Sequence, residues 1–274
     1  MILASIILLG LAAIAADWLH YRRLGPKTPK SRLFLTWVVA TDLLPFAVMA
    51  LGFFSRDNTT PVIMASMWMV WAWMATALTR LVYYTFNFFG WHRTGVFLAT
   101  AVAALLVVGA TAGRTRLRVS RVEVCSERLP KAFDGARIVQ LSDLHLGTIV
   151  RPGRELTRLV DTINALRPDW VVFTGDMVNI RAEELAERAA RLLGRIKAPV
   201  YSVTGNHDIG AYIKDSLHHP MEENLHEVIA RQRAMGWQVL DDETCYLHRG
   251  GGSISLTGPS FDPALRPARP KRGF

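Results

Sequence analysis

Four long apolar runs occupy the first 113 residues, approximately Ile2–Leu19, Leu33–Phe54, Val62–Leu81 and Gly95–Ala112. Each approaches the roughly 20 residues that a helix needs to cross a hydrocarbon core. Inside lipid the backbone must pair within its own segment, so each run is expected to be a transmembrane helix. Tyr83, Tyr84, Phe86, Phe88, Phe89 and Trp91 gather near a span end, as in an interfacial belt. Ala13, Ala15 and Ala16 resemble a signal-peptide cleavage region. No positive charge precedes that run and three more follow, so it reads as a retained span.

Charge is distributed as unevenly as hydropathy. Residues 1–113 hold eight Lys/Arg and three Asp/Glu, and the remaining charges of the chain follow Gly113. The shift marks a boundary between a membrane region, 1–113, and a globular domain, 114–274. Arg22, Arg23, Lys27, Lys30 and Arg32 form a basic loop suited to anionic headgroups. The net charge of +9 lacks the aromatic interleaving and recognition fold of a nucleic-acid binder, so no nucleic acid is predicted as a partner. An even number of spans puts the amino terminus and the globular domain on one side. The basic loop then lies on the cytoplasmic side and the domain outside; Arg114, Arg116, Arg118 and Arg121 weigh the other way.

Asp42 lies inside the second run, three residues before Pro45. A carboxylate at that depth is a functional candidate by default. The other acids and bases of the runs, Asp17 and Arg80, sit near ends. The structural alternative is therefore preferred, with Asp42 facing neighbouring helices and pairing there, or protonated. Cys125 and Cys245 make neither a disulfide framework nor a zinc site by spacing, and each is expected as a small apolar residue in a strand.

Past Gly113 the periodicity changes. Leu117–Val124 alternates like a half-buried strand, and RIVQL (137–141), WVVF (170–173) and VYSV (200–203) are short apolar strands. Leu156, Leu159, Val160, Ile163 and Leu166 recur at helical spacing, as do Leu185, Ala189, Leu192, Leu193 and Ile196. Alternating strands and helices imply a parallel sheet with right-handed crossovers.

A polar cluster ends each of the three strands: Ser142-Asp143-Leu144-His145-Leu146-Gly147, Thr174-Gly175-Asp176-Met177-Val178-Asn179 and Thr204-Gly205-Asn206-His207-Asp208. Loops at the carboxyl ends of parallel strands converge on one crevice. Carboxylate, imidazole and amide oxygen together suit Mn, Fe or Zn. A carboxylate such as Asp176 can bridge two ions, and two ions can clamp a phosphoryl group and lower the pKa of a bound water. Alone, each cluster is weak, because Gly-Asp is commonly a turn and Asn-His-Asp can be an Asx-capped loop. All three in order, each ending a strand, point to a metal site.

These residues strongly resemble the calcineurin-like metallophosphoesterases, whose opening motifs are D-x-H, G-D and G-N-H-[DE]. The likeness covers roughly 115–258 and is nearest to a membrane-anchored bacterial branch, in which a segment like VEVCSERLPKAFDGARIVQLSDLHLG (122–147) leads from anchor to first motif. It implies a four-layer α/β/β/α sandwich holding two divalent ions, and in-line hydrolysis of a phosphoester by metal-activated water. By position it implies that Asp143 and His145 ligate the first ion, Asp176 bridges, and Asn206 ligates the second. His207 would stabilise the transition state or protonate the leaving group, and Asp208 would orient His207. The anchor suggests a lipid-linked phosphate or pyrophosphate as substrate, at a bacterial inner membrane with the domain extracytoplasmic.

The family completes its site with a further histidine and a G-H-x-H motif downstream of a strand like SISLTG (253–258). Here Pro259–Phe274 is rich in Pro and Arg with no histidine, and His218, His219, His226 and His248 come too early. The sandwich is thus expected to be incomplete, truncated after about residue 258 by a frameshift or fragment. Little turnover is expected of the chain as it stands. The alternative function is a catalytically dead, membrane-anchored remnant that binds a partner.

Overall fold

The computed structural model describes residues 2–24, 28–54, 60–215 and 217–261. Lys27 of the basic loop and the tail from 262 onward lie outside them. The chain divides into two compact units, one of helices up to Arg116 and one from Leu117 on.

The first unit contains α1 (Ile2–Leu24), α2 (Pro29–Phe54), α3 (Thr60–Phe88) and α4 (His92–Val108), the last running into a π-turn at Gly109–Gly113. Thr28 caps α2 by accepting the Ser31 amide through Oγ1 at 3.1 Å, and Pro29 supplies the preset φ of a first helical residue. Pro61–Phe88 and His92–Gly113 are long and apolar enough to cross a membrane. They support an integral membrane protein. Leu105 and Phe97 of α4 are about seven-tenths exposed, as residues facing lipid would be.

Among the described residues, the buried charge of this unit is collected at one place. Arg80, on α3, reaches Asp17 on α1 at 2.8 Å and Asp42 on α2 at 2.5 Å. Tyr84 donates its hydroxyl to the second Asp17 oxygen at 3.0 Å. All three charged residues are at least nine-tenths buried. Asp42 therefore pairs with neighbouring helices, as its structural alternative held. Ala13, Trp73 and Ala77 pack beside the network with Phe46 against the Trp73 ring.

In the second unit β1 (Ile138–Leu141), β2 (Trp170–Thr174), β3 (Val200–Val203) and β4 (Gln238–Val239) form one parallel sheet in sequence order. Three helices join consecutive strands: α5 (Pro152–Leu166), α6 (Glu187–Leu193) and α7 (Met221–Ala234). Their apolar stripes meet the sheet in one core, where Leu156, Val160, Ile163, Leu193 and Val228 surround Val171, Phe173 and Val200. The other sheet face carries Trp170 and Tyr201. Against it packs an antiparallel hairpin, β5 (Glu243–Arg249) and β6 (Gly252–Gly258), through Leu247, Ile254 and Leu256. Helices, parallel sheet and hairpin are three of the four layers expected of the sandwich.

Two expectations fail at the start of this unit. Leu117–Val124 alternates like a strand but forms no ladder, and Val122 and Val124 are about four-fifths exposed. Alternation marks a strand only where a partner edge accepts its hydrogen bonds. Cys125 is exposed outside any strand, whereas Cys245 lies in β5 as expected.

Candidate metal centre

The first two strand tips are bound to one another before any side chain is considered. Past the end of β1, the amides of Asp143, His145 and Leu146 donate to the carbonyls of Gly175, Asp176 and Met177 at 3.0 Å each. To follow that course, Asp143, His145 and Asp176 take φ values of 54°, 41° and 61°. Left-handed backbone is uncommon for residues with a side chain, and clusters of it mark functional loops. Glycine is required at two neighbouring points. A Cβ on Gly175 would lie 2.7 Å from the Gly205 nitrogen, and one on Gly205 would lie 2.1 Å from Asp176 Oδ1.

This backbone brings His145 close to two of the expected donors. His145 Nε2 lies 3.7 Å from Asp143 Oδ1 and 3.8 Å from Asp176 Oδ2. Ligand atoms of His145, Asp176 and His207 lie within 4.8 Å of one another. Separations of 3.7–3.8 Å exceed a hydrogen bond. They suit donors sharing one ion, since ligands about 2.0–2.2 Å from a common cation sit roughly 3–4 Å apart. His145 Nδ1 is buried without a hydrogen-bond partner, so protein hydrogen bonding does not claim that ring. The residues fit a divalent cation.

His207 stands against His145 edge to face, 4.5 Å between ring centres. Its Nδ1 lies 2.7 Å from the Asn179 carbonyl. A carbonyl only accepts, so Nδ1 carries the proton and Nε2 is left to present a lone pair, or a second proton when the ring is charged. The His207 amide also donates to Asp176 Oδ1 at 3.0 Å, which leaves Oδ2 for the cluster. Asn206, the residue before, donates its side-chain Nδ2 to the Tyr212 hydroxyl at 2.9 Å.

Asp208 departs from the role that the resemblance implies. It is fully buried, and its oxygens accept the amides of Gly205 and Asp176 at 2.9 Å and Val178 at 3.1 Å. Those bonds occupy the carboxylate, and the His207 ring is oriented instead by Asn179. Burial raises the Asp208 pKa, and the amides partly offset it. Asp208 thus ties the Gly-Asp tip to the Gly-Asn-His tip. A parallel tie comes from Glu184, which accepts the amides of Gly147 and Ile180 at 3.0 Å and of Asn179 at 2.5 Å. Asn224 links the Asp208 carbonyl to the Ala182 amide at 2.9 and 2.8 Å.

Sequence reasoning missed Asn179, Glu184, Tyr212 and Asn224. Asn179 acts through its carbonyl, so its residue type carries no signal. Glu184 had one: it is the third residue of a short helical turn, the position from which an acid reaches back to preceding amides.

Comparison with known proteins agrees with this geometry. Residues 136–263 match the family model of the calcineurin-like phosphoesterase. A zebrafish (Danio rerio) transmembrane protein with metallophosphoesterase domain is 39% identical over 122 residues, 43% of this chain and 27% of that protein. The Chlamydia trachomatis UDP-2,3-diacylglucosamine pyrophosphatase LpxG is 36% identical over 126 residues, 44% of this chain and 38% of its own. The uncharacterized metallophosphoesterase YkuE of Bacillus subtilis is 34% identical over 126 residues, 43% and 44% of the two chains. The matches thus span less than half the length of these relatives. No solved structure matches. Residues 136–263 are thus similar to the calcineurin-like phosphoesterases, and they follow two helices long and apolar enough to cross a membrane. The likeness extends to both bacterial and eukaryotic proteins and is not confined to a bacterial branch.

Proposed function

We propose that the globular unit is a metal-dependent phosphoester hydrolase anchored to a membrane, acting on a phosphomonoester, phosphodiester or pyrophosphate. The observation that carries this reading is His145 Nε2 standing 3.7 Å from Asp143 Oδ1 and 3.8 Å from Asp176 Oδ2, beyond hydrogen-bond reach of both, with His207 in the same cluster as His145 and Asp176. Asp143, His145 and Asp176 would hold the first ion, and Asp176 and Asn206 a second. Bound there, divalent ions would polarise a phosphoryl oxygen and lower the pKa of water. His207 holds its proton on Nδ1 against Asn179 and turns Nε2 outward, ready to stabilise or protonate a departing oxygen. Asp208 keeps two tips in register from beneath.

Among the described residues the first ion has three donors and the second two, so one ion is expected to bind tightly and turnover to be slow. We read α1–α4 as four spans, with the basic loop 20–32 cytoplasmic and the domain on the far face, as at a bacterial inner membrane. A site tethered to a bilayer favours a lipid-linked phosphate, and the pyrophosphatase relative, by its name, acts on an acylated sugar nucleotide. The test is hydrolysis of bis-p-nitrophenyl phosphate and p-nitrophenyl phosphate by the purified chain with added manganese. Slow, manganese-dependent release that Asp176→Asn removes supports the reading. Release that persists in Asp176→Asn contradicts it.

A further inference from the structure

Resting on that reading, we propose that Tyr212 is a positioning residue that points the Asn206 amide oxygen at a cation. An asparagine amide has a donating nitrogen and an accepting oxygen, and a cation takes only the oxygen. The Tyr212 hydroxyl engages the nitrogen end, accepting from Asn206 Nδ2 at 2.9 Å. With that end held, Oδ1 faces away from the tyrosine and is free to ligate. The Tyr212 ring does a second job, stacking on His207 with 4.3 Å between centres and 24° between planes. One side chain thus touches both residues at the third strand tip whose side chains would meet ion or substrate.

The loop is shaped to deliver it. Gly210 takes φ +78°, and the Ile213 amide closes a turn onto the Gly210 carbonyl at 3.0 Å. A Cβ on Gly210 would press on Ile213 and Asn224 at 3.0 and 3.2 Å. The turn brings Tyr212 back to the Asn206 and His207 side chains while leaving it 48% exposed. A tyrosine so exposed adds little to core packing, so its polar contact is separable from stability.

Manganese binding to the full chain in detergent, followed by the paramagnetic resonance signal of free Mn2+, tests this with Tyr212→Phe, Asn206→Ala and the double variant. Tyr212→Phe keeps the stack and loses the hydroxyl. It should weaken the weaker class of ion about tenfold, the usual effect of losing a partner behind a ligand. The tighter class and the metal-free Tm should stay unchanged. The double variant should bind like Asn206→Ala alone, since Tyr212 acts through Asn206. Unchanged binding in Tyr212→Phe, loss in both classes together with a lower metal-free Tm, or additive losses in the double variant would each overturn the assignment. So would a wild-type chain with one class only, although the Asp143–His145–Asp176 centre would then stand. A wild-type chain that binds no manganese fails that centre itself.

Discussion

The two units treat clustered charge in opposite ways. In the helical unit Arg80 is clasped by Asp17 and Asp42 at 2.8 and 2.5 Å, and Tyr84 takes up another oxygen. At the strand tips of the globular unit, Asp143 and Asp176 each stop 3.7–3.8 Å from His145. Charges that satisfy one another hold helices together and offer nothing to a ligand. Charges held just out of reach of one another, by backbone that is itself strained, are arranged for something that enters between them. Distance between partners, together with exposure, separates this structural cluster from the candidate site.

The contrast can be broken at its structural end first. Arg80→Met leaves two carboxylates buried without their counter-charge, which costs about 3–5 kcal/mol. Denaturant unfolding of the chain in detergent, followed by tryptophan fluorescence, should show the helical unit destabilised by that amount, while manganese affinity stays within twofold. A fall in metal affinity would mean that the network is no mere clasp.

At the other end the signs reverse. His145→Gln removes a proposed ligand and a half-buried ring whose Nδ1 has no partner, so it should weaken manganese about 100-fold (roughly 2.7 kcal/mol) and leave metal-free stability nearly intact. Titration calorimetry and thermal unfolding of one preparation read both. The smallest change is Gly205→Ala, which puts a methyl where Asp176 Oδ1 now lies, 2.1 Å from the ideal Cβ. Displacing that oxygen should weaken manganese about tenfold, with the α5–α6 core unaffected. Equal affinity in Gly205→Ala would show that the tip tolerates more than its packing implies.

Much of this was legible in the residues. Strands ending in Asp143–His145, Asp176 and Asn206–His207 announced themselves through β-branched runs followed by polar tips, and parallel order followed from the alternating helices. Local pattern suffices there, because each strand is buried by its immediate chain neighbours. Leu117–Val124 shows the limit: its alternation is as regular, but a strand is made by a partner, which no local pattern supplies. The site divides the same way. Candidate ligand side chains are visible as residue types, whereas the Asn179 carbonyl, the grip of Asp208 on three amides and the stack of Tyr212 on His207 are products of backbone geometry. The Arg80 network needed three helices brought together across long sequence separations.

The most direct test of the centre is anomalous X-ray scattering from crystals of the chain soaked in manganese. A peak bounded by His145 Nε2, an Asp143 oxygen and Asp176 Oδ2 is the predicted result. An ordered tip with no peak there, or manganese bound only at other residues, would contradict the account.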